Sequence, residues 1–157
     1  MNTPFLPPNG RILAFDFGKK RIGLALSDPL GITAQGIDTF HRTTIREDMS
    51  RLTELIQQNE VTLILMGNPL HMSGQESRQS ERTVEFGDRL TAYCGVPYFL
   101  WDERWTSVAA SRVLAESGMT RDKRKLQIDK LSAVILLESY LDAARWAEDE
   151  AAEAAAQ

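Results

Sequence analysis

The chain has 157 residues, 43% hydrophobic and 25% charged, which is the length and make-up of one globular domain with its own core. No run reaches the roughly 18 apolar residues that cross a bilayer, and a single cysteine, Cys94, with two histidines, His41 and His71, excludes an internal disulfide and a Cys/His zinc site. The net charge is −4, but four of the 22 acids (Glu148, Asp149, Glu150 and Glu153) crowd the base-free residues 147–157, leaving 18 acids against 18 bases in a neutral body that has room for a basic face.

Residues 1–11 lack an apolar signal core and contain the pair Pro7-Pro8, so a short loose leader is expected rather than a signal peptide. With one cysteine, the expected address is the cytoplasm. Residues 12–17 (Ile-Leu-Ala-Phe-Asp-Phe) read as a strand, Gly18-Lys19-Lys20-Arg21 as a turn, and residues 22–26 as a second strand in an antiparallel hairpin. Asp28-Pro29-Leu30-Gly31 is another turn, and residues 35–41 make a third strand. Thr44 and Glu47 have capping-box spacing, and Ile45, Met49, Leu52 and Ile56 follow at helical spacing. Residues 61–66 are apolar but for Thr62, as in a strand buried on both faces, and Gly67 is expected to end them before a polar loop to Gln75.

Residues 77–93 read as a helix stopped by Gly95, and residues 96–101 as a strand. A further helix is expected from Thr106 to Ser117. Residues 119–127 read as a basic connector, and residues 128–146 as a long apolar helix that the Ala/Glu tail either prolongs or leaves to fray. The order β-β-β-α-β-α-β-α predicts an α/β domain, its mixed five-stranded sheet flanked by helices, with the first strands antiparallel and later ones parallel. It occupies residues 12–146, between the leader and the acidic tail at 147–157.

Chemistry is expected at the carboxylates. Asp16 lies between Phe15 and Phe17, and a carboxylate beside a core is costly unless something such as a metal ion stabilises its charge. Asp102 and Glu103 close a later strand; adjacent side chains on a strand point to opposite faces, so one of the two can share a pocket with Asp16. Asp129 stands at the start of the last apolar helix, where a helix dipole alone would favour an acid, but Ala133, Leu136 and Tyr140 at helical spacing put it near the buried side. Oxygen-only ligands suit Mg²⁺ or Mn²⁺. Basic residues stand beside each acid: Lys19, Lys20 and Arg21 after Asp16, Arg104 after the Asp-Glu pair, and Lys123, Arg124, Lys125 and Lys130 around Asp129, where a phosphate backbone would lie.

Four stretches also resemble a known family. They are Asp16-Phe17-Gly18-Lys19-Lys20-Arg21-Ile22-Gly23-Leu24-Ala25-Leu26-Ser27-Asp28, Gly67-Asn68-Pro69-Leu70-His71-Met72-Ser73-Gly74, Asp102-Glu103-Arg104-Trp105-Thr106-Ser107, and Ile128-Asp129-Lys130-Leu131-Ser132-Ala133-Val134-Ile135-Leu136-Leu137. In order and spacing they resemble the YqgF/RuvX family, described both as Holliday junction resolvases and as pre-16S rRNA nucleases. The resemblance implies a ribonuclease H-like fold and a metal-dependent nuclease acting on pre-rRNA in ribosome biogenesis or on branched DNA. It places the catalytic, metal-binding acids at Asp16, Glu103 and Asp129. It also implies nucleic acid or a ribosome precursor as partner, no membrane, and either a monomer or a homodimer. Asn68, Ser73 and Trp105 depart from the usual residues and are none of the three acids.

Two other classes are compatible with parts of the pattern. Asp16-Phe17-Gly18 before a hairpin also suits an actin-like nucleotide-binding domain, although such proteins need two domains and Leu24-Ala25 stand where a phosphate loop requires Lys-Ser/Thr. A non-catalytic nucleic-acid or ribosome-binding module could keep the fold, but it has no need of three acids.

Overall fold

The computed structural model describes residues 3–68, 78–102 and 121–156; for residues 68, 78, 79, 102 and 121–130 this covers the backbone. The expected helix from Thr106 to Ser117 lies outside the described residues, as does most of the polar loop. Five strands, β1 (Arg11–Phe17), β2 (Arg21–Ser27), β3 (Ala34–His41), β4 (Val61–Asn68) and β5 (Tyr98–Asp102), form one sheet in the order β3-β2-β1-β4-β5. β1 pairs antiparallel with β2, and β2 with β3, while β1–β4 and β4–β5 are parallel. The mixed sheet expected from the sequence is therefore present, with β1 at its centre.

The period of two along β1 divides the core. Leu13, Phe15 and Phe17 enter one cluster with Met49, Leu52 and Ile56 of helix α1 (Ile45–Gln58) and with Phe86 and Leu90 of helix α2 (Arg78–Cys94). Ile12 and Ala14 enter the other with Leu136, Leu137, Tyr140 and Leu141 of helix α3 (Arg121–Ala156). Each fully buried Leu or Phe contributes roughly 1.5–3 kcal/mol relative to exposure.

Helix boundaries follow local chemistry. Thr44 caps α1, its hydroxyl accepting from the Glu47 N–H at 3.2 Å; the Glu47 carboxylate turns to the Thr43 hydroxyl at 2.9 Å, so this half of the expected capping box is replaced. Gly95 ends α2 at φ +79, its N–H on the Thr91 carbonyl.

Three boundaries differ from expectation. β4 continues through Gly67 and Asn68, because both pair with Trp101 and Asp102. β5 begins only at Tyr98, after Pro97, which has no N–H for the ladder although its carbonyl accepts from Ile64 N–H. The basic connector is not a loop: α3 already runs from Arg121. Its Arg, Lys, Leu and Gln are good helix formers, and residues 119–127 contain no glycine or proline to break it. The tail prolongs α3 at the other end, to Ala156.

Candidate active site

Asp16 is the last residue but one of β1, at the carboxyl end of the central strand. Its parity with Ile12 and Ala14 sets it on the α3 face of the sheet, and it is half-buried. Its direct partner on β2 is Gly23. On the other side, Phe15 pairs with Met66, so the next step along β4 is Gly67, which in turn pairs with Trp101. Gly23 and Gly67 share the face of Asp16, so the residues directly across from it on the two neighbouring strands carry no side chain. The sequence reading missed this pair of glycines.

The turn after Asp16 is tied down from the other face. A Cβ on Gly18 would meet the Arg21 carbonyl oxygen at 2.5 Å, so only glycine fits there. Arg42 donates through Nη1 to the carbonyls of Gly18 (3.0 Å) and Lys19 (3.2 Å), and through Nε to Asp48 (3.5 Å). Its guanidinium lies 4.8 Å from the Phe17 ring centroid and 5.2 Å from that of Phe86. Asp48 is fully buried and also accepts from the Thr43 N–H at 2.9 Å. Arg42 and Asp48 thus clamp the turn to the start of α1, a second feature absent from the sequence reading.

The other predicted acids fall as follows. Asp102 is the last residue of β5, and its parity with Tyr98 and Leu100 is that of the α1/α2 face. Glu103 and Arg104 lie outside the described residues. Asp129 is eight residues into α3 rather than in its first turn, so the helix-dipole explanation for an acid there no longer applies. It precedes the buried Ala133 by four positions and Leu136 by seven, continuing their stripe.

The direction of α3 is fixed by two contacts. Trp101 Nε1 donates to Ser139 Oγ at 3.2 Å, and Arg145 Nη2 reaches the Ile32 carbonyl at 3.5 Å in the β2–β3 loop, at the sheet end opposite Asp16. The earlier turns of α3 therefore lead toward the Asp16 end. Among the described residues no three Asp, Glu, His or Cys side chains converge as a metal cluster.

Among the predicted cations, Lys19 and Lys20 are exposed in the turn and Arg21 is half-buried at the start of β2. Lys123, Arg124, Lys125 and Lys130 are positions on α3. Consecutive helical positions step by about 100°, so the first three fan around the helix, whereas Lys125 shares a stripe with Asp129.

Asp28, at the far end of the hairpin, has a different setting. Its Oδ1 accepts from Ile32 N–H and Thr33 N–H, both at 2.7 Å, and its Oδ2 from Leu30 N–H at 3.2 Å. These bonds, that from Thr33 foremost, hold its carboxyl below the usual aspartate range. Burial pushes Tyr98 up to about 12, helped by its 2.6 Å hydrogen bond to Asp88. Burial also raises Tyr140, whose hydroxyl donates to the Phe5 carbonyl at 2.9 Å and accepts from the Phe5 N–H at 3.0 Å.

The fold is ribonuclease H-like. The chain superposes on the Thermus thermophilus RuvC structure with a TM-score of 0.50 at 10% identity, over 83% of this chain and 93% of that one. It superposes on a fowlpox virus resolvase, solved with its Holliday junction DNA substrate, with a TM-score of 0.51 at 13% identity, over 85% and 97%. A protein of Koribacter versatilis named "Putative pre-16S rRNA nuclease" is 50% identical over 134 residues, 85% of this chain and 88% of its own length. A Clostridium novyi protein of the same name is 43% identical over 132 residues, 84% and 98%. The RuvX family, described as Holliday junction resolvase, matches residues 10–143, and with the sheet order, the placement of Asp16 and these relatives in view, the chain belongs to the RuvX family.

Proposed function

We propose that this chain is a metal-dependent nuclease of the cytoplasm that hydrolyses phosphodiester bonds in structured nucleic acid, with the 5′ region of pre-16S rRNA as its preferred substrate. The observation that carries this reading is the setting of Asp16: on the central strand, at its carboxyl end, on the α3 face, between Gly23 and Gly67. Open α/β sheets bind their ligands at the carboxyl ends of the strands. The rRNA preference rests on relatives of that name matching nearly end to end.

The acids assigned to hold Mg²⁺ or Mn²⁺ are Asp16, Glu103 and Asp129. The fit is chemical and spatial: carboxylate oxygens are hard ligands, and the positions directly across from Asp16 on β2 and β4 are glycines. The chemistry supplied by a divalent ion there is Lewis-acid stabilisation of charge on phosphodiester oxygens. Asp16 contributes a carboxylate fixed by a strand paired on both sides. Glu103 follows in sequence directly after Asp102, the last residue of β5. Asp129 continues the stripe of α3 that covers that face. Lys19, Lys20, Arg21, Arg104, Lys123, Arg124, Lys125 and Lys130 offset the repulsion between these acids and an incoming phosphate backbone.

Branched DNA is the second reading, favoured by the family description and by the fowlpox resolvase fold. The test is cleavage with Mn²⁺ of matched pre-16S rRNA and four-way junction substrates by the wild type and by Asp16→Asn. The precursor is expected to be cut faster, and the variant to lose cleavage of both. Faster junction cleavage overturns the substrate, and undiminished cleavage by Asp16→Asn overturns the site.

A further inference from the structure

A groove of about 210 Å³ opens on the sheet face opposite Asp16 but at the same end of the sheet. Phe17 and Phe86 form its buried floor, and Lys19, Arg42, Arg82 and Arg89 stand around it. Phe17 follows Asp16 directly in β1, so the groove begins one residue from the proposed catalytic carboxylate, across the edge made by the Gly18–Lys20 turn. Cations above an apolar floor focus their field into such a cleft.

Among the described residues, two of these charges, Arg82 and Arg89, are not neutralised locally. Arg42 is balanced by buried Asp48. Arg82 and Arg89, both exposed on α2, form no hydrogen bond or ion pair with described residues. Glu85 also lines the groove, three positions after Arg82 and four before Arg89, the spacing at which helical ion pairs form, yet neither pair closes. Arginines on a helix surface are ordinarily just solvated. Here they face Lys19 from a different element across a shared groove. Arg82 and Arg89 are two turns apart, about 10 Å along α2, which suits phosphates spread along a chain better than one isolated anion.

We propose that this groove binds the phosphodiester backbone of a strand that leaves the cleavage site over the Gly18–Lys20 edge, so that substrate wraps from one sheet face to the other. The proposal rests on the nuclease reading, to which it adds a contact for nucleic acid flanking the scissile bond. Lys19 belongs to both surfaces and joins them.

The test measures binding in an Asp16→Asn background, by fluorescence anisotropy across a salt series, of precursor RNA with and without a single-stranded flank. The Arg82→Ala/Arg89→Ala double variant should lose on the order of tenfold in affinity for the flanked RNA, and its salt slope should fall by roughly 1.4 to 1.8 log units per log unit of salt. The unflanked RNA should lose less. The Arg82→Lys/Arg89→Lys variant, which keeps both charges, should retain most of the slope. Unchanged affinity and slope on flanked RNA overturn the proposal. So does an equal loss on both RNAs, or inorganic phosphate binding that the two alanines abolish with no effect of the flank, since that marks a free-anion site. Cleavage by Asp16→Asn is scored separately: an active variant defeats the catalytic assignment, whereas an inactive one with an unchanged double-variant slope defeats the groove alone.

Discussion

The two ends of the β1–β2 hairpin carry one aspartate each, inside a single motif, and the fold treats them oppositely. At the far end, both Asp28 oxygens accept from backbone N–H groups of its own loop, and its charge stabilises that loop. At the near end, Asp16 stands on a strand between two glycines, and the turn beyond it is held from the other face by Arg42 instead. The two carboxylates thus differ in who secures the turn beside them: at Asp28 the acid itself, beyond Asp16 another residue, Arg42.

Exchanging the two roles by mutation should expose this difference. On the proposed function, Asp16→Asn should reduce cleavage by orders of magnitude while the melting temperature stays near wild type, because Asn keeps the side-chain shape and the acids of the proposed site repel one another. Asp28→Ala should do the reverse, keeping cleavage and losing about 1 kcal/mol of stability, at the low end for bonds to a charged acceptor because the loop is solvated. Paired melting curves and turnover assays check both, and a large stability loss in Asp16→Asn would break the contrast.

The clamp supplies the next effect. Arg42→Ala leaves buried Asp48 without its cation and two turn carbonyls without a donor, so unfolding free energy should fall by about 2–3 kcal/mol. Arg42→Lys should rescue little, since an ammonium cannot reproduce the planar fork between two rings. Urea denaturation of both variants decides it.

The smallest effects are in pH. Because folding lowers the Asp28 carboxyl, its contribution is present above the ordinary value of 3.8 and is lost as pH falls through its lowered value; in Asp28→Ala that part of the acid sensitivity should vanish. Tyr98 runs the opposite way. Its folded value of about 12 exceeds the ordinary 10.0, so its contribution is complete below 10 and disappears as pH rises toward 12. Ultraviolet titration should show a phenol ionising near 12 that Tyr98→Phe removes.

Much of the fold was legible because strands buried on one or both faces leave mostly apolar runs: residues 12–17, broken only by Asp16, and 61–66, broken only by Thr62, predicted β1 and the body of β4. The hairpin followed from a four-residue turn. The start of α3 was not legible, because its first turns carry no apolar stripe in the sequence, and a run such as Arg121-Asp122-Lys123-Arg124-Lys125 looks the same in a loop. For the site, Asp16 was visible as a charge in an apolar strand. Gly23 and Gly67 were not, since their meaning depends on register, which pairs residues from three strands. Asp48 could have been found: it precedes Leu52 by four positions and Leu55 by seven, on the helix's inner side, but its neighbour Glu47 made it look like an ordinary acid of a first turn.

The last helix has its charges backwards. A helix dipole favours acids at the amino end and bases at the carboxyl end, yet α3 begins with Arg121, Lys123, Arg124 and Lys125 and finishes with Glu148, Asp149, Glu150 and Glu153. A charge misplaced in the first or last turn costs about 0.3–1 kcal/mol, and those further in cost less, which a helix of 36 residues anchored by a buried middle tolerates. The result is a rod of about 54 Å with a cationic tip and an anionic tip. On the proposed function, a polyanionic substrate nearing such a rod is drawn by one end and repelled by the other, which aligns its approach with the end of the sheet toward which the first turns of α3 lead.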